Sequence, residues 1–534
     1  MKKVIIVVIF STMSILGLYS QSKSKDVSVK WGEELKESKK SSLSDIVGFD
    51  ETGFYALSGK QSGIYVANIK YTVSHFSSDV KLKTEVELEI KDDKKDMEFE
   101  FIVQMDKKLY VFASLADKKA NLNNLYVQSI NKKTLQLNND RKKIAEIPYE
   151  SKLYKDRGSF NYKLSRDSSK INIFYNLPYE KNENEKFGFH VLDDQMNEIW
   201  SNNVVLPYTD ELFVIESHII DIEGNVHILG KKYEEKLKST RKGEVNYDHL
   251  IISYYKGESS AREYVVKMEG KYLNEMKIEM NDDKEIICAG FYSNRGTSGA
   301  DGSYFLKIDI DSKEIVVNNF KEFGLDFITQ NMSNKEEKKT KKKEAKGKEV
   351  ELYSYDIDDM IMNDDGSIYL IGEQYYEYQT TTTSTTNGNT STKTTYHYVY
   401  KDIIVVNIDF QGNIVWAEKV GKSQHTRNDN GFFSSYVLSI SRDNLYFIFN
   451  DNPENLKVNQ RGKDFKDFTK KKDSIIVLVK MDSDGNSTRK ALFTAKDAEV
   501  LTRPKVCEQV SEDELILFGQ KGRTHRFAKV TLIQ

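Results

Sequence analysis

Few residues in this chain are spaced for chemistry. The clearest group is Glu373, Gln374, Tyr375 and Tyr376, followed by Tyr378 and, across an Asn387-Gly388 pair, by Tyr398 and Tyr400. Aromatic rings and amides of this kind cover sugar faces and anchor protein interfaces. Asn-Gly between two β-forming runs is a strong hairpin signal, so EQYYEYQTTTTSTT (Glu373 to Thr386) and NTSTKTTYHYVYKD (Asn389 to Asp402) read as two strands of one arm. With the turn placed there, Thr386 faces Asn389, Tyr378 faces His397, Tyr376 faces Val399 and Tyr375 faces Tyr400. Aromatics line the base of the arm and threonines its tip, with order expected at the base and mobility at the tip. Gln424, Arg427, Asn450, Asp451 and Asn452 fall in the long connections that follow and complete the candidate binding set.

A second chemistry would need acids. Glu373, Asp429 and Asp451 belong to separate segments, and carboxylates converging from separate segments could serve a hydrolase or lyase without leaving a local motif. Other signatures are fragments. Gly296-Thr297-Ser298-Gly299 resembles part of a nucleophile elbow, but Ala300 stands where the last glycine belongs and no strand-to-helix turn is evident. Asp482-Ser483-Asp484-Gly485-Asn486 imitates a calcium loop, yet Arg489 and Lys490 follow where further oxygen ligands and a terminal Glu are required. His218 and His227 flank one hairpin, most simply by chance. With no HExxH, phosphate loop or zinc-ligand spacing in the sequence, no cofactor and no metal are expected.

The elements that must position these residues repeat. GFYALSG (Gly53 to Gly59), KKLYVFA (Lys107 to Ala113), SKINIFY (Ser169 to Tyr175), GNVHILG (Gly224 to Gly230), KEIICAG (Lys284 to Gly290), GSIYLIG (Gly366 to Gly372), DNLYFIF (Asp443 to Phe449) and DELILFG (Asp513 to Gly519) share one template. Recurrence at roughly 55 to 80 residues is the mark of a repeat architecture. Each template is preceded by a strand-like run such as FVIESHIID (Phe213 to Asp221). A third run follows it, as in GIYVANIKY (Gly63 to Tyr71) or SYFLKIDI (Ser303 to Ile310), and most units close with a fourth such as NIVWAEKV (Asn413 to Val420). Four antiparallel strands per unit make a propeller blade.

The corners agree. Asp50, Asp221, Asn363, Asp409 and Asp482 each stand three residues before a glycine, the pattern of a type I turn leading into a glycine bulge. The expected fold is therefore all-β: a single β-propeller over residues 21–534, of eight four-stranded blades, with seven blades or two smaller β-domains as alternatives. VSVKWGEEL (Val27 to Leu35) has no partner of its own, and the eighth unit lacks a fourth strand, so the N-terminal run is expected to close the last blade. Two insertions interrupt the rhythm, a lysine-rich helix at 324–350 and the Tyr/Thr hairpin at 373–402. The helix is expected to be solvated. Loops between second and third strands are the long ones and open on one face, which becomes the candidate binding surface.

Lys2 and Lys3 before an apolar run from Val4 to Leu18, then Ser20, have the layout of a secretory signal peptide over residues 1–20. An exported chain, periplasmic or extracellular, with no membrane-spanning segment after cleavage, is the expectation. Cys288 and Cys507 lie in different repeats and are expected to be buried free thiols. A formal net charge of −3 offers nothing to nucleic acid. The D-x-x-G-N-I-V-W blade end, GSFNYKLSRDSSK (Gly158 to Lys170), EKFGF (Glu185 to Phe189), ELYSYDIDD (Glu351 to Asp359), GEQYY (Gly372 to Tyr376) and NDNPEN (Asn450 to Asn455) together resemble uncharacterised secreted propeller-like proteins of Bacteroidota. The resemblance spans nearly the whole mature chain and implies an envelope or extracellular setting, without catalytic residues to carry over. The function expected is a non-enzymatic scaffold that binds an envelope protein or glycan through its long-loop face, with the hydrolase or lyase as the alternative.

Overall fold

The computed structural model describes residues 23–533, apart from 25, 38–40, 62–68, 94, 150–156, 179–181, 236–239, 242–243, 349, 388, 459–464 and 471. The expected signal peptide lies outside the described residues. Among them the chain forms eight antiparallel sheets of at least four strands and two two-stranded ladders. In chain order the sheets span 41–87, 98–148, 160–209, 213–266, 272–322, 355–420, 437–494 and 501–532, and are numbered here 1 to 8. Each repeated template is the second strand of its sheet and mostly buried: Ile286–Ser293, for instance, is buried at every residue. The third strand of sheet 1 differs from expectation. It is Ile69–Ser77, whereas most of the run from Gly63 to Tyr71 lies outside the described residues.

The corners form as their residues dictate. Gly224, Gly366, Gly412 and Gly485 take φ values of 91°, 81°, 87° and 82°, and each donates its N–H to the carbonyl of the Asp or Asn three residues earlier. A side chain resists that left-handed backbone, which is why glycine stands there. Because strands alternate in direction, these corners share one face, while the connections between second and third strands open on the other. Gly290 is constrained differently, since a Cβ there would lie 1.9 Å from the Glu275 carbonyl oxygen across a bulge.

Apolar faces are buried between successive sheets. Leu57 and Val73 of sheet 1 pack with Ile102 and Val111 of sheet 2, and the same pattern continues through Phe174 and Ile228, Ile251 and Cys288, and Tyr369 and Phe447. Fourth-strand side chains tie neighbours at their corners: the Trp200 indole donates to Gly224 O at 2.8 Å and Trp416 to Ser483 O at 2.8 Å. The series returns on itself. Phe527 of sheet 8 meets Phe54 and Phe76 of sheet 1 at centroid distances of 5.1 and 4.7 Å. Val27–Trp31 pairs with Thr524–Leu532, so the N-terminal strand completes sheet 8. Opening strands meet across the ring, where Arg166, just after the first strand of sheet 3, donates to Met362 Sδ in the first strand of sheet 6 at 2.9 Å. Cys288 and Cys507 are free and buried.

The lysine-rich insertion forms helix α1 (Leu325–Thr329) and helix α2 (Asn334–Glu344). Ser333 caps α2, accepting from the Glu336 N–H while the Glu336 carboxylate accepts from the Ser333 N–H at 3.0 Å, a capping box. None of the residues of α2 is buried.

Candidate binding site

The arm is the direct continuation of two strands of sheet 6. Ile368–Thr386 and Asn389–Ile408 are apolar and buried within the sheet, then cross a bulge between Glu373 and Tyr375 and extend outward as a polar, exposed ladder. The register places Tyr375 opposite Tyr400, Tyr376 opposite Val399, Tyr378 opposite His397 and Thr386 opposite Asn389. Asn387 has a φ of 51°, the left-handed value required at the first turn position. Pairing continues to the tip, beyond the base where order was expected, with hydroxyl contacts such as Ser384 to Ser391 at 2.9 Å. A third strand was not foreseen: Gln424–Arg427 pairs alongside Tyr400, Val399, Tyr398 and His397 and thickens the base.

The candidate residues divide by burial. Tyr376 and Tyr378 are 41% and 43% exposed, with near-parallel rings 6.5 Å apart. Tyr378 also stacks on His397 at 4.3 Å, and Arg427 is exposed beyond it. Tyr375 packs on Tyr400 at 4.5 Å and donates to Glu377 at 3.1 Å. Tyr398 donates to Asn430 at 2.9 Å, and Lys505 donates to the Tyr400 hydroxyl at 3.2 Å. Gln374, half-buried, donates to the Tyr353 carbonyl at 2.8 Å.

Burial removes Glu373, Gln424, Asn450 and Asp451 from the presented surface. Their polar groups are satisfied internally, as burial requires. Gln424 donates to Asn450 O at 2.9 Å and accepts from Ser435 N at 2.7 Å. Asn450 donates to Phe433 O and Thr502 O at 2.8 and 2.6 Å, joining sheet 7 to sheet 8. Asn452 caps the short 3-10 helix Pro453–Lys457. Each of the three acids has its own cation. Glu373 pairs with Lys422 at 2.5 Å, Asp451 with Arg489 at 2.8 Å and Asp429 with Lys470 at 2.9 Å. His218 and His227 register with Ile228 and Ile219, so they point to opposite faces of their sheet.

What the sequence reading passed over is a cavity of about 430 Å³ between the helical insertion and the base of the arm. Lys339 and Lys343 of α2, Lys401 of the arm, Lys419 and Lys422 of sheet 6, and Lys466 line it, against the carboxylates Glu336, Glu351 and Asp402. Glu351 is committed to Arg295 at 2.6 Å. Burial lowers the Lys419 ammonium to about 8, opposed by the nearby Asp402 charge, and burial raises the Asp402 carboxyl. The available signal was a lysine within an apolar fourth strand, NIVWAEKV, where a buried position costs an ammonium its hydration. Among the described residues no cluster of His, Cys, Asp and Glu has the arrangement of a metal site, and no helix is long and apolar enough to cross a membrane.

These antiparallel sheets, packed in sequence and joined last to first, define a β-propeller. No family model matches the chain, and no curated protein matches it. Solved structures similar to it include prolyl oligopeptidase B from Galerina marginata, with 9% identity over 90% of this chain and a TM-score of 0.37. The chain spans 55% of that enzyme's length. The WD40 domain of SCAP from fission yeast matches at 8% identity and TM-score 0.36, over 94% of this chain and 98% of its own. A DUF4221 family member from Bacteroides vulgatus matches at 11% identity and TM-score 0.30, over 88% of this chain and all of its own. At such scores the class of fold rests on the sheets themselves.

Proposed function

We propose that this protein is an exported, non-enzymatic propeller of eight blades that binds an envelope protein or glycan through the face carrying the arm, a setting in keeping with its resemblance to secreted Bacteroidota proteins. The observation that carries the reading is the arm itself. Strand pairing projects Tyr376 and Tyr378 from a rigid sheet with their rings open to solvent, the geometry of a recognition surface held by a scaffold. The hydrolase reading loses its residues, because Glu373, Asp429 and Asp451 are each neutralised by a separate cation.

The test replaces Thr380 to Thr395 by Asn-Gly, which joins the paired residues Gln379 and Tyr396 through a two-residue turn. Envelope protein and polysaccharide fractions are passed over both forms after immobilisation. Retention by the intact chain and its loss from the shortened one is the expected result. Equal retention, or turnover of a retained glycan, defeats the reading.

A further inference from the structure

One face of the arm leads directly into the lysine-lined cavity. Gln374 and Lys401, at the inner end, both line it. Two residues further out Tyr376 is opposite Val399, which is paired with His425; two more bring Tyr378, His397 and Arg427 into line. Alternation puts all of these on one side. The Tyr376 phenol lies within electrostatic reach of Lys401, Asp467 and Glu336 at the cavity lip.

The cavity lining carries six lysines against three carboxylates. Lys419 is 3% exposed, yet its ammonium, with three donors to place, has among the described residues a single hydrogen bond, 3.4 Å to the Ile328 carbonyl. The faces of Phe327 and Tyr355 lie at 5.0 and 6.0 Å, and the nearby Asp402 carboxylate favours its ammonium form. Lys401 bonds Ser423 at 2.6 Å and reaches Asp467 at 3.4 Å. The exposed Lys466 stands at the same rim. Amide side chains share the lining, among them Gln330, whose Nε2 makes no hydrogen bond. Ammonium, amide and hydroxyl groups beside open aromatic rings match a hydroxyl-rich anion better than a peptide, whose anchors need apolar pockets.

We propose that this strip and cavity bind an acidic saccharide, with its uronate or sulfate group among the lysines and a neighbouring sugar ring on Tyr376 and Tyr378. The inference rests on the reading of this face as a binding surface and adds the charge class of the ligand.

Titration calorimetry of the full chain tests it, with oligogalacturonate, a sulfated galactan oligomer, a neutral galactan oligomer of equal length and an oligoglutamate peptide as probes. At least one acidic saccharide is expected to bind at least tenfold more tightly than the neutral one, and the stronger of the two names the acid group. Lys401→Ala/Lys466→Ala and Tyr376→Ala/Tyr378→Ala should each weaken it about tenfold, with the lysine effect shrinking at high salt. Unchanged melting temperatures show that both variants are folded. Equal affinity for neutral and acidic saccharides overturns the inference, as does oligoglutamate binding as tightly as either acid, or no binding by any probe. If arm-dependent retention of an envelope component survives any of these outcomes, only the acidic-saccharide inference falls; if that retention is also absent, the binding reading falls with it.

Discussion

Two buried polar residues show how much this fold depends on single side chains. Asp451 and Arg489 are 0% and 5% exposed and meet at 2.8 Å, while Asn455 donates to the same carboxylate at 2.6 Å. Burial lowers the Arg489 guanidinium and raises the Asp451 carboxyl, and their mutual attraction opposes both shifts. Arg489→Met leaves a carboxylate buried without its cation, so stability should fall by about 3–5 kcal/mol, whereas Asp451→Leu with Arg489→Met should recover much of that. Denaturant unfolding of the three proteins checks it. His218 stacks on Phe174 at 4.6 Å, and burial, with the Lys163 charge added, lowers its imidazole to about 4. Because the folded value lies below the usual 6.5, protonation favours the unfolded chain. The His218 contribution is complete above pH 6.5 and is lost as pH falls toward 4. Melting curves should show His218→Phe stabilising the protein at pH 5 relative to the parent and leaving the difference near zero at pH 8.

At the scale of elements, the arm and the sheet that bears it are one pair of strands in two environments. Inside the sheet Ile371 and Val405 are 0% exposed; past the bulge every residue from Tyr376 to Asn387 is exposed. An exposed ladder adds little apolar burial to the fold. Shortening the arm between Gln379 and Tyr396 should therefore leave the melting temperature within about 1 °C, a shift near 1 kcal/mol or less for a chain of this size. A larger drop would mean that the arm supports the core. Its register was legible because Asn387-Gly388 fixes a two-residue turn and every pairing follows by counting. The Gln424–Arg427 strand was not, because nothing in the local sequence QHTR distinguishes a short edge strand from a loop. Its pairing depends on where the chain returns after sheet 6.

For the whole molecule, closure is the decisive contact. Val27 and Val29 are 2% and 3% exposed in the strand that completes sheet 8, and Ile533 N donates to the Asp26 carbonyl at 2.7 Å. A chain beginning after Trp31 would uncover those apolar contacts and the edge of Thr524–Leu532. A loss of about 3–6 kcal/mol from two valines and concentration-dependent association through the open edge are expected. Calorimetry and light scattering read both; an unchanged midpoint and a monodisperse solution would show that sheet 8 holds without its outer strand.

The strand units, their corners, and the arm with its register could be read from local residue patterns, because alternation, turn glycines and an Asn-Gly pair act over a few residues; the partner of the N-terminal strand followed from the fourth strand that the eighth unit lacks. Tertiary structure alone decided which polar residues are presented. Glu373, Gln424, Asn450 and Asp451 look like surface residues in the sequence but are buried where sheets 6, 7 and 8 meet, and the lysines from α2, the arm, sheet 6 and Lys466 converge on one cavity across more than a hundred residues of chain. Burial is a property of what packs against a residue, and in a ring of sheets that neighbour comes from the next unit.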